Sequence, residues 1–317
     1  MRCEETDLRD AFFDGVLALA RNDARVLFLT ADMGAFSLNQ FRAELPAQFI
    51  NVGVAEQNLI NLAAGLALGG KKVFAYGIAP FVTLRCFEQI KVSLCCMNLP
   101  VTLVAVGLGF TYGSDGPTHH ATHDVAVMRT LPEMAIYNPS DAVITAACAQ
   151  IAYDGKGPQY IRIERGRAPR LYSGSVTDFS KGLSRLKTGT DLTIISTGIM
   201  SHTANIVADK LAKTGIDAGL IDLYRIKPVN AELLLEYIRH TPALVTLEEN
   251  AISGGLGSVL SEILVDSGLS IPLKRIGAPD THCCDLGPRE WIQETLGLND
   301  DAITDNIMTW YRGSFGG

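Results

Sequence analysis

Four short segments of this 317-residue chain gather the side chains that move protons or hold anions. The first, Asn51-Val-Gly-Val-Ala-Glu56-Gln-Asn58, sets a carboxylate at the start of a helical apolar pattern through Leu59, Leu62, Ala63 and Leu66. A first-turn acid is favoured by the helix dipole whatever else it does. Gly53, Val54 and Ala55, however, are unusual neighbours for an acid that only meets solvent. A carboxylate in such surroundings is poised to exchange a proton near neutral pH, and a buried one needs a partner. The second segment, Gly113-Ser-Asp115-Gly-Pro-Thr-His119-His120, is followed by His123-Asp124 and places three of the six histidines within five positions. Asp-Gly-Pro is strong turn chemistry by itself. The histidines read first as hydrogen-bonding groups for an oxygen-rich ligand and second as metal ligands, because nothing else in the chain has clear ligand spacing.

The third segment, Tyr160-Ile-Arg162-Ile-Glu-Arg165-Gly-Arg167, carries three arginines at and beyond a strand end. A guanidinium there suits bidentate binding of a phosphate, and a salt-bridged domain edge is an equally simple reading. The fourth, Glu248-Glu-Asn-Ala-Ile-Ser-Gly254-Gly255-Leu-Gly257, lacks the GxGxxG spacing of a nucleotide fingerprint. Its glycines read as helix capping and close packing against a sheet, or as part of a subunit interface.

These segments need a frame, and the apolar periodicity supplies one. Helix at about 8–19, strand at 26–29, helix at about 55–68, strand at 72–75, helix at about 80–97 and strand at 101–106 alternate along the first half. A strand at 134–137, a helix at 140–153 with Ser140 as N-cap, and a strand at 159–163 complete an α/β unit with a mostly parallel sheet. From about Gly166 to Thr190 the pattern gives way to Arg, Pro, Ser, Gly and Lys. We therefore expect a first domain at 1–175, a linker at 176–190 and a second domain at 191–317. In the second, strands at 192–196, 217–221, 243–247 and 272–275 alternate with helices at about 201–214, 231–239 and 255–265, and two helices around Trp291 and Met308 end the chain. The expected fold is α/β, two domains, each a mostly parallel sheet flanked by helices.

Composition narrows the class. Hydrophobic residues make up 47% and charged residues 19%, which suits packed cores and not disorder or a disulfide scaffold. The formal charge of −7, without a basic run, makes nucleic acid an unexpected partner. Seven cysteines, including Cys3 and the adjacent pairs Cys95-Cys96 and Cys283-Cys284, show no CxxC spacing and read as reduced thiols of a cytoplasmic protein. The acidic start, Met-Arg-Cys-Glu-Glu-Thr-Asp, does not read as an export signal, and no apolar run approaches the ~20 residues of a membrane span.

Taken together, Asn51-Val-Gly-Val-Ala-Glu56-Gln, Gly113-Ser-Asp-Gly-Pro-Thr-His119, Asn138-Pro-Ser-Asp141, Arg165-Gly166 and Glu248-Glu-Asn-Ala-Ile-Ser-Gly-Gly resemble, in that order, the pyrimidine-binding and C-terminal domains of the transketolase family. The Gly-Asp-Gly and Asn pair with which that family holds the magnesium diphosphate are missing. The resemblance thus implies one subunit of a split transketolase, completed by an N-terminal diphosphate-binding subunit in an α2β2 heterotetramer. It further implies thiamine diphosphate with Mg2+ (or Ca2+ or Mn2+) held mainly by that partner, no metal ligands in this chain, and sugar phosphate substrates.

The same resemblance assigns roles. Glu56 hydrogen-bonds the cofactor pyrimidine N1′, so that the 4′-amino group can remove the thiazolium C2 proton. His119 and Asp115 bind the donor's oxygens, and Arg165 its phosphate. Asp32 lies near the cofactor, with capping of the following segment as its alternative role. The aromatic residue against the pyrimidine aligns to Phe81 or Val82, and Arg85 belongs to the same cofactor-binding stretch. The chain departs from fused transketolases at Gly107, where a substrate histidine is frequent, and at Phe36-Ser37, where a phosphate-binding serine is expected. Rival implications are a 1-deoxy-D-xylulose-5-phosphate synthase-like enzyme, which Pro117 disfavours, and a 2-oxo acid dehydrogenase β subunit, which lacks the Asp-Gly-Pro-Thr-His loop. A non-catalytic partner subunit is the rival from another class.

Overall fold

The structure, a computed structural model, describes residues 7–172 and 178–315. Cys3, the acidic start of the chain and the expected boundary at 175/176 lie outside the described residues. The chain divides into two compact units, Met1–Leu108 with Val127–Ser180, and Gly109–Ala126 with Lys181–Gly317. The segment that carries Asp115 and His119 therefore belongs to the second unit.

In the first unit β1 (Val26–Thr30), β2 (Phe49–Asn51), β3 (Lys72–Ile78), β4 (Val101–Val106), β5 (Ala135–Tyr137) and β6 (Gln159–Ile163) pair in parallel in the order β5-β6-β4-β3-β1-β2. Every residue of β1, β4 and β6 is buried, as expected of parallel strands covered on both faces, and this is why they read as mostly apolar runs without alternation. Phe12 and Phe13 of helix Leu8–Asn22 pack edge-on against Phe74, Phe28 and Tyr76, with ring centroids 4.9–6.1 Å apart. Asp7 caps that helix. Asp141, and not the expected Ser140, caps helix Ala142–Asp154 by accepting the Val143 and Ile144 N–H groups.

One stretch departs from the periodicity. The helix expected over 80–97 is a single turn, Ala79–Val82, then a break, then Phe87–Gln89 leading into a π-helix, Ile90–Cys95. At the break the Thr83 hydroxyl donates to Ala79 O and the Cys86 thiol to Phe81 O, so side chains claim carbonyls at the helix end.

The second unit holds β7 (Ser184–Lys187), β8 (Leu192–Ser196), β9 (Ala218–Asp222), a short β10 (Arg225–Lys227), β11 (Leu244–Ala251) and β12 (Leu273–Ala278). Its five-stranded sheet runs β12-β11-β8-β9-β7, parallel except for β7. The strand β7 lies where the sequence predicts connecting chain. Helices Met200–Lys213 and Asp300–Phe315 supply core residues such as Ala204, Leu211, Ile303 and Ile307 against β8, β9 and β11. No helix among the described residues is long and apolar enough to cross a membrane.

Candidate active site

In the first unit the sequence-selected residues fall just beyond the carboxyl ends of strands, where open α/β sheets bind ligands. Helix Glu56–Leu68 follows β2, and its stripe of Leu59, Ile60, Ala63 and Ala67 is buried. Glu56 opens that helix with only 6% of its surface exposed. Its partner is Arg85 on the broken stretch after β3, whose Nη1 donates to Glu56 Oε2 at 2.8 Å. The Arg85 guanidinium also lies over the Phe81 ring, 4.2 Å from its centre. Gln57 Nε2 donates to Arg85 O and ties the break to the helix.

Val82 is fully buried and Phe81 half-buried, with its ring against the Arg85 guanidinium that pairs with Glu56. Beneath them Cys86 is buried. Desolvation, with the nearby Glu56 charge and against Arg85, pushes its thiol up to about 12, which keeps it protonated at neutral pH.

Asp32 lies after β1 with φ +58°, a left-handed conformation that Asp tolerates better than most residues. It does not cap the following helix, Phe36–Glu44, which begins after Ala35 without a side-chain cap among the described residues. Instead Asn51 bridges to it, donating Nδ2 to Asp32 Oδ1 and accepting the Asp32 N–H. Ser37, at the departure from the family pattern, is buried and donates its N–H to Asp10. Arg165 is exposed after β6 on a segment stapled at both ends. Asp7 accepts the Gly166 N–H, and Asp141, with its second oxygen, accepts those of Leu171 and Tyr172.

In the second unit Asp115 lies exposed in a 3-10 turn, Gly113–Asp115. His119 is half-buried, with Nδ1 2.9 Å from Thr118 Oγ1 and its ring edge-on to Tyr112. His120 is buried against Phe110, and its Nε2 has no hydrogen-bond partner among the described residues. Desolvation holds its pKa below the ordinary histidine value, against a backbone hydrogen bond with Gly113 and the Glu249 charge and with the neighbouring His119. His123 is exposed and faces His282 at 6.1 Å.

The fourth segment joins a strand to a helix through a turn at 252–255, and the strand runs further than the sequence predicts: Glu248, Glu249 and Asn250 are buried at the end of β11. Glu248 accepts the Leu256 and Gly257 N–H groups and so caps helix Leu256–Asp266, where the sequence reading gives the capping to the glycines. Gly255 is required there, since a Cβ would strike the Glu248 carboxylate. What sequence reasoning missed are the holders, namely Asn51, Asp7, Glu249 and Asn250, and the pairing of Arg85 with Glu56 across 29 positions.

The residues present fit the pyrimidine half of the implied thiamine diphosphate: a buried carboxylate at a helix start, with an aromatic face and a cation beside it. Among the described residues no group of three or more His, Cys, Asp or Glu side chains comes together as a cation site.

Comparisons with known proteins give the family. Residues 4–170 match the transketolase pyrimidine binding domain, and residues 182–303 the transketolase C-terminal domain. The chain is 39% identical over 306 residues to one of the subunits of the apulose-4-phosphate transketolase of Phocaeicola vulgatus, covering 96% of this chain and 97% of that protein. It is 38% identical over 307 residues to the 6-deoxy-6-sulfo-D-fructose transketolase subunit SqwH of Clostridium sp. strain MSTE9, covering 96% and 94%. A solved structure described as a split gene transketolase, inactive beta4 tetramer, matches with a TM-score of 0.85 at 34% identity over 96% of this chain and 98% of that one. The chain belongs to the transketolase family, as a subunit of the split form that carries the pyrimidine-binding and C-terminal domains on one polypeptide.

Proposed function

We propose that this chain works in the cytoplasm with a diphosphate-binding partner chain, in an α2β2 assembly, to transfer a two-carbon ketol unit from a ketose carrying a terminal anion to an aldose. The observation that carries the reading is the buried Glu56 carboxylate beside Phe81 and Arg85. Thiamine diphosphate, with its divalent metal on the partner, supplies the electron sink for breaking the ketose C2–C3 bond.

Glu56 holds the proton at the pyrimidine N1′ and thereby governs the basicity of the adjacent amino group. Phe81 gives the pyrimidine an apolar face, and Arg85 keeps the Glu56 carboxylate oriented. Asp32, tied to Asn51, lines the cofactor side of the site. His119 donates to the donor oxygen that gains charge during addition, and Asp115 accepts from a donor hydroxyl. Arg165, on its stapled segment, pairs with the terminal anion. The phosphorylated and sulfonated sugars named for two relatives support a tetrahedral anion at that end.

The test is ketol transfer by the reconstituted pair against phosphorylated, sulfonated and uncharged ketoses. We expect Arg165→Ala to raise the Michaelis constant of an anionic donor by the loss of a charge-assisted contact of about 1.5–3 kcal/mol, and to affect an uncharged donor far less. His119→Ala should depress turnover of both donors alike. Equal damage to both donors in Arg165→Ala would remove the anion assignment.

A further inference from the structure

Two consecutive side chains at the end of β11 tie down both feet of the loop that carries Asp115 and His119. Glu249 takes the entry foot. Its Oε2 accepts the Phe110 N–H at 3.3 Å, while Arg289 and Gln293 of helix Arg289–Thr295 hold the same carboxylate from the other side. Gly109, at φ +51°, is what admits the carboxylate, because a Cβ there would occupy its position. The Phe110 ring is buried in the core with Leu192, Ile194, Leu247 and Ile292.

Asn250 takes the exit foot. Its Nδ2 lies within reach of Ala121 O at 3.4 Å, Thr122 O at 3.3 Å and the buried Asp124 Oδ1 at 2.9 Å. The next residue, Ala251, donates its N–H to Thr122 O at 2.7 Å. An antiparallel bridge between Gly109 and Ala121 closes the neck, and Gly287 N–H meets Gly113 O inside the loop. Between these anchors Asp115, Pro117 and Thr118 are exposed and His119 is half-buried. The backbone is fixed where the loop leaves and returns, and the groups with chemistry ride on the arc between.

We propose that Glu249 and Asn250 are positioning residues for the ketol-transfer reaction, setting through the two feet of the 110–121 loop where His119 and Asp115 meet the donor. This gives the C-terminal sheet a part in the reaction although it supplies no reacting group. The inference rests on the functional reading above. The bland alternative is that these are ordinary buried bonds that stabilise the second unit. Glu248 provides the comparison, since it is on the same strand and serves a helix cap.

The experiment compares Asn250→Ala, Glu249→Gln and Glu248→Gln by amide hydrogen exchange on the chain, and by ketol transfer after reconstitution. Asn250→Ala and Glu249→Gln should speed exchange of the 110–121 amides by about tenfold or more, with β8 and β9 unchanged. Their kcat should fall by about 10–100-fold, as for a displacement near 1 Å, while the Michaelis constant of an anionic donor stays within about threefold because Arg165 is untouched. Glu248→Gln should not show that loop-confined exchange.

Should Glu249→Gln fail to fold, Asn250→Ala, which keeps the Glu249–Arg289 pair, decides the matter. Unchanged loop exchange, faster loop exchange with unchanged kcat, or the same loop effect in Glu248→Gln would each overturn the positioning role. Absence of transfer by the wild-type pair would overturn the functional reading itself. Transfer by wild type with unaltered loop exchange in Asn250→Ala would remove only the clamp.

Discussion

Glu56 and Arg85 hold each other: the acid is buried, the guanidinium half in water, and the Phe81 ring backs the cation. Glu56→Gln preserves the volume and one acceptor for Arg85 but removes the exchangeable charge. In the assembled enzyme we expect deuterium exchange at cofactor C2 to slow by ~10²–10⁴, the usual cost of losing a general acid–base group. An unchanged exchange rate would strip Glu56 of its role.

His120 makes a separate prediction, on stability. Burial lowers its folded pKa, so on acidification the unfolded chain takes up this proton before the folded one does. Its effect is absent above the ordinary histidine value of about 6.5 and grows as pH falls from there through the depressed folded value. Denaturant midpoints of the chain, followed from about pH 8 to about pH 5, should therefore fall less steeply in His120→Gln than in wild type. Identical slopes would mean that His120 is protonated as easily inside as out.

At the level of elements, Asp141 joins two functions in one side chain, capping helix Ala142–Asp154 and stapling the segment after Arg165. Asp141→Ala loses a cap of about 1 kcal/mol and leaves the Leu171 and Tyr172 N–H groups short of an acceptor, so a loss of about 2–4 kcal/mol in unfolding free energy is expected. A loss below about 0.5 kcal/mol would show that water replaces the carboxylate at both places.

The sequence shows most elements plainly because buried parallel strands are mostly apolar and their helices carry regular stripes. Where it misleads, the reasons are physical. Val82, Cys86, Ile90 and Leu94 are all buried at four-residue spacing, so the apolar stripe runs straight through the break, and only the side-chain bonds of Thr83 and Cys86 betray it. The edge strand β7, Ser-Arg-Leu-Lys, is polar as edge strands are and carries no strand signal. Helix Phe36–Glu44 buries only Ser37, Leu38 and Phe41, too little for a stripe. Glu56 stands out through its small apolar neighbours, whereas Glu249 and Asn250 read as part of a glycine-rich turn because the loop they hold lies more than 120 positions away in the chain.

For the molecule as a whole, the first unit leaves Phe36 (83%), Val54 (76%), Val92 (54%) and Leu84 (41%) open to solvent. Val54 is two residues from Glu56 and Leu84 adjoins Arg85, so apolar surface borders the candidate site in sequence on both sides. Exposed apolar surface of this kind suits a face that a partner covers. The sequence also lacks the Gly-Asp-Gly and Asn pair expected for the diphosphate and its metal, so in the proposed assembly this chain offers the pyrimidine half of the cofactor's contacts alone. Those two facts bear on affinity in the same direction. An apolar ring contact and one carboxylate must then hold a cofactor whose charged end stays in water, and the ordering cost of binding is offset by few contacts. We therefore expect the purified chain to bind thiamine diphosphate weakly by calorimetry and to have no ketol-transfer activity. Mixing with a diphosphate-binding chain and a divalent metal should produce tight binding and turnover together, with a stoichiometry of one chain to one. Tight binding and full turnover by the rigorously purified single chain would mean that it holds the diphosphate itself, and the two-chain assembly would have to be abandoned.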